Sequence, residues 1–301
     1  MKRFFSIFFL IFSTFSFSND KLKIGVSLQA YYSFVSNIVK DRAEVIPVAR
    51  LDLYDSHSYQ PKIEDIKRVA DLDVLVVNGI GHDEFMFEIL NASDRKDKIK
   101  VIYANKDISL MPVAGTLNSQ KILNTHTFIS ITTSIQQIYN IARELAEIDS
   151  KNKEFYLENA REYVKKLRKL KVEALDKIKD LDNFEFKVAT FMGGYDYLFA
   201  EFGIDVKAVI EPFHGAQPSV ADIKKAVDII KAENIDVIFG EKHFSNKYVE
   251  AIQRETGIEL RTLDHLTSGP YEIDSFEKLI KVDLEEIVDT IKYIAKKKNK
   301  I

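Results

Sequence analysis

The sequence runs to 301 residues, 46% apolar and 30% charged, enough for a substantial core and for two domains. Its formal charge of −3 argues against nucleic acid or an anionic lipid surface as the main partner. It contains no cysteine, which excludes disulfides, thiolate metal sites and lipidation of an N-terminal cysteine, so any metal must be held by His, carboxylates or, more weakly, Met.

The chain opens with Lys2 and Arg3, a mostly apolar run from Phe4 to Phe12, and small residues ending Ser16-Phe17-Ser18, the layout of a secretory signal peptide over residues 1–18. That run is too short to span a membrane and no later stretch is long enough, so the mature chain is expected to be exported, cleaved near Ser18–Asn19, periplasmic and not membrane-spanning. Cleavage would remove Lys2 and Arg3 and move the formal charge from −3 to −5.

From Lys21 onward, short β-like runs alternate with helical ones. Strands are expected over 22–28, 45–48, 74–78 and 101–103, with helices over 30–40, 63–70 and 84–90 between them. The rhythm returns after Asn183, with strands over 187–191, 206–210, 237–239 and 259–262 and helices over 195–202, 219–232 and 246–256. Strands spaced by helices predict parallel sheets covered on both faces. The fold class is therefore α/β, with two doubly wound lobes over 19–150 and 184–301.

Between them, no Gly or Pro occurs from Gly115 to Gly193. Tyr156, Ala160, Tyr163, Leu167, Leu170, Ala174, Ile178 and Leu181 recur at three- and four-residue steps, predicting one amphipathic helix over Lys153–Asp182 within a connector of 151–183. Ser150 and Asn152 are candidate caps, and at 1.5 Å per residue the helix would be about 45 Å long. Such a strut joins two lobes whose ligand site lies beyond the carboxyl ends of their strands, in the cleft between them.

Six histidines, His57, His82, His126, His214, His243 and His265, all fall after predicted strands or in connecting loops. A lone His of this kind is ordinarily a surface or structural imidazole; six in one kind of place suit a divalent transition metal. His57 lies in Asp55-Ser56-His57-Ser58-Tyr59-Gln60-Pro61 and His126 in Asn124-Thr125-His126-Thr127-Phe128-Ile129-Ser130. Each has an aromatic two residues on that can pack beneath the imidazole.

These segments resemble the zinc/manganese-type (cluster A-I, TroA- and ZnuA-like) metal-binding proteins of ABC importers. The His57 segment is similar to that family's Asp-Pro-His-x-Tyr-x-Pro motif, and the His126 segment to its Asp-Pro-His-x-Trp-x-Ser-Pro motif. Val76-Val77-Asn78-Gly79-Ile80-Gly81 and Asn159-Ala160-Arg161-Glu162-Tyr163-Val164-Lys165-Lys166-Leu167 resemble its strand-end and helix signatures. The likeness extends over essentially the whole mature chain.

The resemblance implies that His57 and His126 are ligands from the first lobe. Where the family usually places a third ligand, Phe191-Met192-Gly193-Gly194-Tyr195-Asp196-Tyr197 carries Met192, a soft thioether suited to packing the cleft wall. His214, in Glu211-Pro212-Phe213-His214-Gly215-Ala216-Gln217-Pro218-Ser219, is the leading replacement, followed by His82, which Gly79-Ile80-Gly81 would aim at the cleft. The family's fourth ligand falls on Asp264, with His265 as a neighbour that could bind instead. Glu241 and His243 close another strand end as outer support or surface.

The expected function is a periplasmic receptor that captures Zn²⁺, with Mn²⁺ next, through His57, His126, His214 and Asp264, and hands it to an ABC permease, acting as a monomer and not as an enzyme. Rival readings are a metallohydrolase using Glu241 as base, an adhesin-like interaction protein with an altered metal site, and a binder of haem, corrinoid or siderophore. The Gly79-Ile80-Gly81 pair lacks the third Gly and the Lys of a phosphate loop, and neither Gly-x-Ser-x-Gly nor His-Glu-x-x-His is present.

Overall fold

The computed structural model describes residues 21–51, 56, 59–114, 122–181, 185–211, 219–242 and 247–299. The expected signal peptide falls outside them. The alternating pattern resolves into two four-stranded sheets, parallel throughout. In the first lobe β1 (Leu22–Val26), β2 (Ala43–Pro47), β3 (Val74–Val77) and β4 (Lys100–Tyr103) lie in the order β2-β1-β3-β4, connected through α1 (Gln29–Val39), α2 (Ile63–Ala70) and α3 (Phe85–Ala92). Two long helices, α4 (Ile131–Ile148) and α5 (Lys153–Asp176), follow.

The second lobe repeats the arrangement. Its strands β5 (Val188–Met192), β6 (Val206–Glu211), β7 (Val237–Glu241) and β8 (Glu259–Leu263) are ordered β6-β5-β7-β8, with α6 (Asp196–Ala200), α7 (Val220–Glu233) and α8 (Lys247–Thr256) between them. The chain closes with α9 (Ser275–Lys298). In each sheet the strand order reverses beside the first strand, which is where doubly wound folds open a crevice.

Alternation along the strands decides what each sheet face covers. On β5, Val188 and Met192 face a core shared with the first lobe, while Ala189 and Phe191 face a separate core under α7 and α8. The shared core is continuous from Ile24 to Ile294, so the lobes are not two independent apolar bodies.

Two helices carry that continuity. The expected connector starts as predicted at Lys153 but ends at Asp176, followed by a 3₁₀ turn over Lys179–Leu181; the predicted stop at Asp182–Asn183 lies outside the described residues. Asn152 precedes it without a side-chain cap, and Ser150 sits in a 3₁₀ turn instead. The second bridge is α9, which the sequence reading did not anticipate. It leaves the second lobe and packs on α1 and α5. Ser33 Oγ donates to Glu272 O (3.0 Å) and accepts from Phe276 N (3.2 Å), Asn37 Nδ2 donates to Ile273 O (2.7 Å), and Tyr163 Oη donates to Glu277 Oε2 (2.8 Å). Among the described residues no helix is long and apolar enough to cross a membrane.

Candidate metal centre

Three of the six histidines converge between the two lobes. His82, His126 and His265 each present a ligand nitrogen within 4.8 Å of the other two, and all three are at least 95% buried. Ring centroids are 4.7 Å apart for His82 and His126, 5.2 Å for His82 and His265, and 5.1 Å for His126 and His265. Phe128 lies against all three, nearest His82 at 5.0 Å, so the aromatic two residues after His126 supports the whole cluster.

Each imidazole is delivered by a different local device. His82 follows β3 through a loop in which Gly79 (φ 78°), Gly81 (φ 108°) and His82 itself (φ 80°) are left-handed, a conformation that costs a non-glycine residue about 1–3 kcal/mol unless its surroundings hold it. Asp83 holds the loop by accepting from Asn78 N (2.6 Å) and Gly79 N (3.3 Å), and burial pushes its carboxyl up to about 6. Asn78 Nδ2 donates to Gly81 O (2.7 Å) and Thr125 O (3.0 Å), which ties the His82 loop to the His126 loop.

His126 stands just before a buried 3₁₀ turn, Thr127–Ile129, that leads to Ser130, the N-cap of α4. His265 follows β8, where Asp264 N donates to Asp283 Oδ1 (2.8 Å) and Asp264 Oδ1 accepts from Leu266 N (2.9 Å), with Leu266 at φ 59°. Burial holds the Asp283 carboxyl well above the usual carboxylate range despite that hydrogen bond. Asp264 therefore shapes the turn that presents His265, and the clustered ligand atom is the neighbour's.

One nitrogen of each ring is engaged away from the cluster. Ser56 Oγ lies 2.9 Å from His82 Nε2, Asn124 Oδ1 accepts from His126 Nδ1 (2.9 Å), and Thr267 Oγ1 lies 3.1 Å from His265 Nδ1. The opposite atoms, His82 Nδ1, His126 Nε2 and His265 Nε2, are buried on the other side of each ring. Nitrogens around a tetrahedral zinc at 2.0–2.1 Å are roughly 3.3 Å apart, so a small inward shift of these rings would bring them to bonding distance.

Met192, at the end of β5, lies at the same place. A Cβ added at Gly194 would come within 2.9 Å of Met192 Cε and 3.3 Å of the His126 ring, so the thioether's methyl end packs beside that imidazole. The loops carrying His57, His214 and His243 fall outside the described residues. Of the candidates inside them, His82, His126 and His265 come together, and Asp264 stands behind one of these. The sequence signal for His82 was its Gly-Ile-Gly approach; for His265 it was adjacency alone.

Asp196 and Asn124 were not singled out from sequence, yet they join the lobes at the site. Asp196, which opens α6, accepts from Ala114 N (3.0 Å) and Asn124 Nδ2 (2.7 Å), and burial raises its carboxyl from the ordinary value. Tyr197 Oη accepts from Met111 N (2.9 Å) and donates to Asn124 O (3.0 Å).

Comparison with known proteins places the chain among metal-binding proteins of one fold. Residues 24–290 match the family model described as ZnuA, zinc-uptake complex component A, periplasmic. The SBP FpvC of Pseudomonas aeruginosa, solved with Mn²⁺, is 43% identical, with a TM-score of 0.84 over 91% of this chain and 99% of that one. A Cd-bound periplasmic metal-binding protein from Candidatus Liberibacter asiaticus is 25% identical, with a TM-score of 0.78 over 90% of this chain and all of that one (100%). The manganese ABC transporter substrate-binding lipoprotein PsaA of Streptococcus mitis is 22% identical over 282 residues, 90% of each chain.

Proposed function

Because the chain belongs to the periplasmic zinc-uptake component A family, we propose that it captures a divalent transition metal in the periplasm as cargo and delivers it to the permease of an ABC importer. The observation that carries this reading is the buried convergence of His82 and His126 from one lobe with His265 from the other. Three neutral nitrogens suit Zn²⁺, while Mn²⁺ normally wants more oxygen donors, so zinc is the first cargo and manganese the second. FpvC has been solved with both Mn²⁺ and Ni²⁺, which supports a site that accepts several first-row ions.

The proposed ligands are His82, His126 and His265. His57, His214 and Asp264 are candidates for a further position, and Met192 packs the wall. Rings this buried, drawn from two lobes, suit capture and release by relative movement of the lobes rather than turnover at an open coordination position.

The test is calorimetric titration of the chelator-stripped protein with Zn²⁺ and Mn²⁺, beside a His82→Ala, His126→Ala, His265→Ala variant. Sub-micromolar binding lost in the variant is expected. Equal binding by both proteins, or none by the unsubstituted one, sinks the reading. Hydrolysis of a test phosphoester by the zinc-loaded protein would favour the metallohydrolase reading instead.

A further inference from the structure

The lobe that supplies His126 does not orient it alone. Asn124 Oδ1 accepts from both His126 N and His126 Nδ1, each at 2.9 Å. A backbone N–H is only ever a donor, so the atom facing it must be the amide oxygen, and Asn124 Nδ2 must point the other way. It points at Asp196 Oδ2, 2.7 Å away on the second lobe. Asp196 Oδ1 is occupied by Ala114 N at 3.0 Å. Val113, next to Ala114, packs where a Cβ on Gly193 would sit, so the same strand of chain is pressed onto the second lobe.

We propose that Asp196 is a positioning residue for metal capture: through Asn124 it fixes the ring orientation and the Nδ1–H tautomer of His126, so that Nε2 is presented to the ion by a carboxylate of the opposite lobe. The proposal rests on the reading of His126 as a ligand.

The chemistry of the relay makes a specific demand on residue 196. Asp196 offers two acceptor oxygens to two donors. An asparagine there has a single oxygen, so in either rotamer one donor meets an NH₂ group. If Asn124 rotates its amide to escape, its own NH₂ turns against the His126 N–H and Nδ1, and the Nδ1–H tautomer loses its acceptor. Asn124→Asp alone sets two carboxylates against each other. In the exchanged pair, Asn124→Asp with Asp196→Asn, the carboxylate accepts from His126 N and Nδ1 and from the new amide, whose oxygen still accepts from Ala114 N.

The experiment compares the unsubstituted protein, D196N, N124D and the exchanged pair by Zn²⁺ competition against a chromophoric chelator, with thermal unfolding of each metal-free protein recorded alongside. D196N is expected to weaken Zn²⁺ binding about 10- to 100-fold, and the exchanged pair to recover most of it. Unchanged affinity in D196N, or an exchanged pair no better than the worse single variant, overturns the proposal. The exchanged pair covers the case in which D196N does not fold. Imidazole ¹⁵N shifts of the metal-free unsubstituted protein give an independent check: a protonated His126 Nδ1 supports the relay and a protonated Nε2 overturns it. If the unsubstituted protein binds no metal at all, the cargo reading fails, while the tautomer measurement still decides the relay.

Discussion

Phe276, in the first turn of α9, stands edge-on to Phe34 of α1, with ring centroids 4.7 Å apart and planes at 81°. Both side chains are fully buried, so the contact joins the last helix of the second lobe to the first helix of the first. Phe276→Ala removes an aromatic from a shared core, and a loss of about 3–5 kcal/mol is expected. Denaturant unfolding checks this: the midpoint should fall as one transition across both lobes, without an early phase confined to one of them.

Glu201, just after α6, sits buried at the start of α4. It is paired with Lys171 of α5, accepts from Ser130 Oγ, from Thr132 N (2.7 Å) and, on its other oxygen, from Thr132 Oγ1 (2.9 Å). Removing one side of a buried ionic cluster leaves the rest uncompensated, so Glu201→Ala should cost about 3–5 kcal/mol. A Lys171→Met, Glu201→Leu double variant should be less damaging than Glu201→Ala, measured by the same unfolding curves.

Gly194 lies where the His126 ring and the Met192 methyl meet. In Gly194→Ala the methionine end can swing aside but the imidazole is held by Asn124, so the added methyl presses on a proposed ligand. Metal affinity should drop while metal-free stability changes by only about 1 kcal/mol. The Met192→Ala, Gly194→Ala pair should bind metal better than Gly194→Ala, read by chelator competition.

Metal removal should itself be visible as lost stability. An ion held at a hundred times its dissociation constant stabilises the folded chain by about 2.7 kcal/mol. Melting in excess Zn²⁺ should therefore occur above melting in EDTA, and the difference should vanish in the His82→Ala, His126→Ala, His265→Ala protein.

Much of the fold was legible because short apolar runs and period-3.6 patterns survive in single segments. The strand at Val74–Val77 and the helix at Ile63–Ala70 are local facts. Helix α9 carried the same kind of signal in Phe276, Ile280, Leu284, Ile287, Ile291 and Ile294. No local pattern says that this stripe covers α1. At the site, which of Asp264 and His265 turns towards His82 and His126 depends on how the chain leaves β8, through a turn with Leu266 at φ 59° that composition does not reveal. The Asp196 to Asn124 bond closes across 72 residues, a distance at which one sequence offers no pairing signal.

The bond from Phe276 N to Ser33 Oγ closes over 243 residues. The first helix of the chain therefore receives its cover from the last, and the first lobe cannot be completed in the order in which it is made. Chains interrupted anywhere before α9 would leave the apolar face of α1 open to solvent and prone to association. Contacts this distant in sequence also delay folding. The α1–α9 contact is thus expected to form late and to complete the core that the two lobes share.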